Sequence, residues 1–263
     1  MTDEGTAASG LLAGKSCVVM GVANRWSIAY AIAEAMAAAG ARLAITYLDE
    51  RTQREAEALV ALAPGSASYK FDVESDEQLD TFADELKKDF PRVDCLVHSI
   101  AFAPPDELKN RFLDTTREGF KIAHSISVYS LIATAQRVVP LMTDGGSIIT
   151  MTYLGADRAF PRYNVMGVAK AALEATVRYL AYDLGEQRIR VNAISAGPIK
   201  TAAARGIPGF SEMQNLLVER APLKTEFGAK NVAQTAVFLA SDGSSAITGE
   251  TLFVDNGYNI MGM

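Results

Sequence analysis

The sequence predicts an α/β fold: one Rossmann-like domain with a doubly wound parallel sheet of about seven strands and helices on both faces. Three observations predict it. Short β-branched runs alternate with longer amphipathic segments, which makes βαβ units and hence a parallel sheet covered on both sides. Right-handed crossovers then wind such a sheet outward in both directions. No linker interrupts the alternation between Leu12 and Asn259, where the longest lapse, Gly206-Ile207-Pro208-Gly209-Phe210, is short and apolar. The 263 residues therefore read as one domain.

Taken in order, residues 1–10 are small and polar, with no basic start before an apolar core. They read as a flexible tail and not as a signal peptide, leaving 11–263 as the single Rossmann-like domain. The first strand is Ser16–Met20, and Gly21 permits a tight exit turn. A helix over Ser27–Ala39 places Ile28, Ile32 and Met36 on one face, with Ser27 as N-cap and Gly40 past the end. Leu43–Tyr47 is the second strand and Ala67–Phe71 a weaker third, followed by a charged amphipathic helix over Ser75–Asp89. Val93–His98, Ser147–Met151, Ile189–Ile194 and Thr251–Val254 complete the sheet. Between the fifth and sixth strands, Tyr163–Leu184 reads as one helix ended by Gly185.

Composition narrows the function. At 49% hydrophobic and 21% charged the chain is an ordinary globular one, and a net charge of -6 argues against a nucleic-acid binder. No apolar run is long enough to span a bilayer, so a cytoplasmic location is expected. Cys17 and Cys95 lie in strand-like runs as buried thiols, and two histidines, His98 and His124, are too few for a zinc site; no metal is expected.

In doubly wound sheets ligands bind beyond the carboxyl ends of the strands. Gly21 and the N-cap Ser27 bound a loop whose helix N-terminus suits a pyrophosphate. Only Gly21 survives of a G-x-G-x-x-G pattern, with Ala29 small enough for close helix–sheet packing, and an ordinary capped helix fits the same residues. Leu48-Asp49-Glu50 ends the second strand. Two carboxylates there repel a 2′-phosphate and favour NADH over NADPH, although first-turn acids also suit the following helix. Asp72 is placed to accept from an adenine amino group with Val73 over the ring, or is simply a turn acid. Ile100 and Ala101, in the apolar "HSIAFAPP", can lie flat against a cofactor.

The run "RYNVMGVAK" carries Tyr163 and Lys170 seven residues apart. On a helix that is about two turns, one face and roughly 10 Å. A phenol that donates to a developing oxyanion, beside an ammonium that binds ribose hydroxyls and keeps the phenol acidic, suits polar catalysis. A ring-packed Tyr and a snorkelling Lys fit the same spacing. Four residues before Lys170 stands Met166, so the Tyr-x-x-x-Lys pair of ketone-reducing short-chain dehydrogenases is absent.

"MTYLGADRAFPRYNVMGVAKAALEATVRYLA", followed by "RVNAISAGPIKTAAARGI" and later "TGETLFVDNGY", resembles the NADH-dependent (FabI-type) enoyl-acyl-carrier-protein reductases of bacterial fatty-acid synthesis. These are a divergent branch of the short-chain dehydrogenase/reductase superfamily. The resemblance runs from about Leu12 to Tyr258 and includes a G-x5-S-I loop at Gly21, Ser27 and Ile28. It implies hydride transfer from NADH to the β-carbon of a trans-2-enoyl thioester. Tyr163 would donate to the enolate oxygen, Lys170 would grip the nicotinamide ribose, and Tyr153 would line the pocket. It further implies that Ile199 and Thr201 hold the nicotinamide amide and phosphates, and that Ala103, Phe210 and Met213 contact substrate. The α-carbon proton has no donor assigned by the sequence.

One departure concerns the coenzyme: where many NADH-using members carry Gln after "TY", this chain has Leu48. Residues of about 200–217 resemble the substrate lid, and a plain core-facing helix shows the same pattern. The Tyr163 helix is apolar beyond its sheet-facing side, at Val168, Ala171, Ala172, Ala175, Val177, Tyr179 and Leu180. The resemblance implies a homotetramer formed through this helix, with Ser125–Met142 joining the interface. An acidic acyl-carrier protein would need a basic patch, for which Lys200, Arg205, Arg220 and Lys224 are candidates or merely scattered cations. Two other readings stand beside this one: a 3-oxoacyl or carbonyl reductase of the same superfamily, and a non-catalytic dinucleotide-binding protein.

Overall fold

The structure is a computed structural model that describes residues 10–199, 214–215 and 218–262. Among these residues the strands are β1 (Ser16–Met20), β2 (Arg42–Tyr47), β3 (Ala67–Lys70), β4 (Cys95–His98), β5 (Gly146–Thr152), β6 (Ile189–Ala196) and β7 (Thr251–Val254). They form a seven-stranded sheet of order β3-β2-β1-β4-β5-β6-β7. Every pairing is parallel, from β1 with β2 to β6 with β7. The strand order reverses between β1 and β4, where a crevice opens at the carboxyl ends.

The helices used below are α1 (Ile28–Ala38), α2 (Glu50–Val60), α3 (Asp76–Asp89), α4 (Pro105–Lys109), α5 (Arg117–His124), α6 (Ser130–Val138), α7 (Asn164–Leu184) and α8 (Ala229–Ala240). Side chains of α1, α2 and α8 join one face of the sheet in a core that holds Val19, Ile45, Val97 and Ile149. Side chains of α3, α6 and α7 join the other face with Val18, Leu96, Ile148 and Val191. The alternation of strand residues between the two cores is the period of two expected for a sheet buried on both sides.

Ser27 is the N-cap that the sequence predicts, and Ser75 and Asp49 cap the two helices that follow. Ser27 accepts from the Tyr30 N–H at the start of α1, and Ser75 accepts from the Gln78 N–H at the start of α3. Asp49 caps α2 through a reciprocal exchange with Thr52. β4 begins later than its apolar run, at Cys95, because the N–H of Val93 turns to Leu141 O. The continuous helical path from Arg117 to Val138 contains a π-helical turn at Ser125–Tyr129 between α5 and α6, a device often found beside functional sites. Among the described residues no helix is long and apolar enough to cross a membrane, and no group of His, Cys, Asp and Glu could hold a metal ion. Cys17 and Cys95 are buried free thiols on adjacent strands, in register with each other.

Candidate active site

The strand ends bring the sequence candidates to one rim. Gly21 leaves β1 with φ +88, and a Cβ there would overlap the carbonyl oxygen of Ser99 at the exit of β4. Only glycine lets these two exits cross, so the floor of the crevice depends on it. Ser27 then closes the loop: its hydroxyl donates to Asn24 O at 2.7 Å while accepting from the Tyr30 N–H. The first N–H groups of α1 have no intrahelical acceptor and form the anion-attracting end of the helix. Ala29 is fully buried against the sheet, as close helix packing requires, and Ile28 is half-buried beside it. These features fit a dinucleotide pyrophosphate.

At the tip of β2, Leu48 is exposed and Asp49 keeps its charge, its carboxyl held low chiefly by the Thr52 backbone and side-chain hydrogen bonds. The nearby cation Arg51 lies 3.9 Å from that same carboxylate. After β3, Asp72 Oδ1 accepts from the Glu74 N–H at 3.0 Å, the turn-acid arrangement, and Val73 packs half-buried on the core. Ile100 packs against the core beyond β4. Ile199, beyond β6, packs against the opposite core. Thr201, Phe210, Met213, Lys200 and Arg205 lie outside the described residues, as does most of the lid segment. Of the remaining basic candidates, Arg220 is exposed and Lys224 donates to Glu219 O at 2.5 Å.

Lys170 engages the end of β5, and Tyr163 packs on the turn that follows it. Lys170 is buried, and its Nζ donates to Met151 O at 2.8 Å. Burial pushes its ammonium down to about 8, opposed by the charge of Glu174 one turn on. Glu174 is itself pushed up by burial, and it accepts from Thr152 Oγ1 at 2.7 Å. Consecutive residues at the end of β5 thus engage consecutive turns of α7.

Tyr163 is not inside the helix but is its N-cap, with φ -91 and ψ -29, between Arg162 at φ 65 and Asn164 at φ 43. Its ring meets Tyr153 edge-on, centroids 4.9 Å apart, and Tyr153 in turn meets Phe160 at 5.2 Å. A Cβ on Gly155 would overlap the Tyr163 ring, and one on Gly167 would press into Gly155 O. The two glycines therefore let α7 and the turn after β5 approach closely enough to hold the phenol. Ala103 and Leu108 complete the apolar wall around Tyr163.

The phenol is raised well above its ordinary range by burial first, then by Tyr153 and Glu174. This differs from the sequence expectation that Lys170 keeps the phenol acidic: the ammonium is turned to the Met151 carbonyl. A protonated phenol remains a competent hydrogen-bond donor at neutral pH. Tyr153 is likewise raised, mainly by burial.

Sequence reasoning missed a buried polar group beneath this site. His98, fully buried at the end of β4, lies 2.7 Å through Nε2 from Ser130 Oγ and 3.1 Å through Nδ1 from Thr150 Oγ1. Burial and then the Lys170 charge push it down to about 3, so it is neutral. Ser130 lies on α6, far along the chain, and no local pattern announces the pairing. Gly167 had a signal in the sequence, since glycine within a helix costs about 1 kcal/mol and marks close packing, whereas Gly155 stands in a turn where glycine is ordinary.

The family model described as "Enoyl-(Acyl carrier protein) reductase" matches residues 21–259. A Bacillus cereus protein named enoyl-[acyl-carrier-protein] reductase [NADH] FabI is 48% identical over 254 residues, covering 96% of this chain and 99% of that relative. A Staphylococcus aureus relative, named enoyl-[acyl-carrier-protein] reductase [NADPH] FabI, is 47% identical, covering 94% and 98%. The crystal structure of the Bacillus cereus enoyl-acyl carrier protein reductase with NADP+ and indole naphthyridinone superposes with a TM-score of 0.93 at 48% identity, covering 97% of this chain and all of that one.

Proposed function

Because this chain belongs to the enoyl-(acyl carrier protein) reductase family, we propose that it reduces trans-2-enoyl thioesters of acyl-carrier protein in fatty-acid synthesis with NADH as coenzyme. It is an oxidoreductase that uses a nicotinamide dinucleotide. When bound, the dinucleotide supplies a hydride to the β-carbon of the enoyl group. Gly21, Ser27 and Ile28 would receive the pyrophosphate. Leu48, Asp72, Val73, Ile100, Ile199 and Thr201 would line the rest of the coenzyme site, and Lys170 would hold the nicotinamide ribose. Tyr163 would donate to the thioester oxygen as it becomes an enolate, with Tyr153 and Ala103 shaping the acyl pocket alongside Phe210 and Met213. The observation that carries the reading is the edge-on contact of buried Tyr163 with half-buried Tyr153, just past the β5 end whose Met151 carbonyl holds the buried Lys170 ammonium.

NADH is the finer part of the proposal, since relatives divide between the two coenzymes. Asp49 supports it. Its charge stands at the tip of β2, with Arg51 3.9 Å from it, so a 2′-phosphate would meet a carboxylate at this point. With crotonyl thioester we expect kcat/KM to favour NADH over NADPH by about tenfold or more, a difference of about 1.4 kcal/mol. An assay of crotonyl and acetoacetyl thioesters side by side checks the reaction class. Turnover of the acetoacetyl compound alone would establish the ketone-reducing alternative, and coenzyme binding without any turnover would establish a non-catalytic binder.

We also propose a cytoplasmic homotetramer. Val177 of α7 is buried in the core, but Val168, Tyr179 and Tyr182 are exposed on the same helix and Tyr129 on the adjoining π-helical turn. An apolar surface of that kind calls for a partner. Light scattering of the soluble protein is expected to give four times the chain mass of 28.1 kDa, and a monomer at working concentration would refute it.

A further inference from the structure

We propose that Asn164 is a positioning residue: its carboxamide ties the carbonyl end of α4 to the left-handed start of α7 and thereby fixes the phenol of Tyr163. The proposal rests on the reading of Tyr163 as the donor to substrate.

The backbone supplies the first observation. Arg162 and Asn164 both take positive φ, 65 and 43, so Tyr163 is held between two left-handed residues. Asparagine accepts that region far more readily than most side chains. Tyr163 consequently leaves the helix start at an angle that an ordinary first turn would not give it.

The second observation is what the Asn164 side chain does there. Its Nδ2 donates to Asn110 O at 2.8 Å, and lies 3.2 Å from Glu107 O and 3.4 Å from Leu108 O. These carbonyls belong to the last turn of α4 and to its C-cap Asn110, where acceptors have no intrahelical donor. A single amide thus closes the end of a helix distant in sequence while sitting directly after Tyr163.

The third observation is that α4 is anchored independently and is not a yielding partner. Glu107, 8% exposed, accepts from the N–H and the hydroxyl of Thr116, whose oxygen also caps α5 by accepting from the Gly119 N–H at 2.9 Å. Upstream, Ser127 Oγ accepts from the Phe102 N–H at 3.0 Å and donates to Phe102 O at 3.1 Å, holding the loop after β4 to the π-helical turn. Ala103 and Leu108, on this braced segment, touch the apolar cluster of Tyr163. The braced loop and the phenol are therefore joined by packing on one side and by the Asn164 amide on the other. Small displacements of a donor from its acceptor reduce turnover by up to about a hundredfold.

The test uses two variants that separate backbone from side chain. Asn164→Asp keeps the size and left-handed tolerance but cannot donate to the three carbonyls; Asn164→Gly keeps the backbone freedom and offers no side chain, which guards against misfolding. In crotonyl thioester reduction each is expected to lose about tenfold or more in kcat, while NADH binding followed by fluorescence changes less than about twofold. In a Tyr163→Phe background the same substitutions are expected to cost nothing further, because the donor they position is gone. Full kcat in Asn164→Gly, or a loss that adds in full to that of Tyr163→Phe, would overturn the proposal. A fully active Tyr163→Phe enzyme would instead remove the donor reading beneath it, so the two failures are distinguishable.

Discussion

Tyr163→Phe is expected to lower kcat for crotonyl thioester reduction by about a hundredfold or more, with NADH affinity unchanged within about twofold. The magnitude is that of removing one preorganised donor from an oxyanion in a site closed to water. Phe keeps the ring that packs on Gly155 and meets Tyr153 edge-on, so the wall survives and only the hydroxyl is lost. The phenol is raised by burial, which keeps it protonated across the neutral range, so in the proposed role it would donate to the enolate oxygen and not act as a base. Loss of kcat with KM for both substrates near the parent value would mark an interaction made in the transition state. Retention of full kcat in Tyr163→Phe would assign the stabilising donor elsewhere, with Tyr153, raised above its ordinary range and adjacent, the first candidate to examine by the same substitution.

The strand ends were legible because each is a local event. A β-branched run followed by Gly21, or by an acid that caps the next helix, is written in a few consecutive residues. Ser27 caps α1 as predicted, and Ser75, read as the first residue of the charged helix, caps α3. The spacing of Tyr163 and Lys170 was legible too, but the geometry it suggested was not the one found. Counting helical turns places Tyr163 within the helix, whereas Arg162 and Asn164 put it outside as a cap, and left-handed φ at non-glycine residues leaves little trace in a sequence. Glu174 carries no local signal; only the tertiary approach of Thr152 shows it to be drawn toward the end of β5. His98 is the extreme case. Its two hydroxyl partners come from β5 and α6, so an isolated histidine in an apolar strand gives no hint of a neutral buried network.

Lys170→Met is expected to weaken NADH binding by about tenfold to a hundredfold, the range set by one hydrogen bond from a charged donor at about 1.5–3 kcal/mol. Met matches the length of the lysine stem and keeps its packing, so the loss reports the ammonium. The pH dependence sharpens this. Burial holds Lys170 at about 8, so the parent protein's affinity should fall as pH rises through that value, whereas the Met variant should be flat across it. Stability should move the other way. The folded pKa lies below the unfolded value of 10.5, so between about 8 and 10.5 the unfolded chain binds more protons and stability rises with pH. Below that window the buried charge costs about 3 kcal/mol at the ordinary conversion of pKa to free energy. Removing it leaves Met151 O without its donor, at about 1 kcal/mol. The coenzyme-free Met variant is therefore expected to be more stable than the parent at pH 7 by about 2 kcal/mol, although it binds NADH more weakly. Urea titrations without coenzyme and fluorescence titrations with NADH measure the two effects separately. A variant that is less stable without coenzyme and binds NADH as the parent does would mean that Lys170 serves the fold and not the coenzyme.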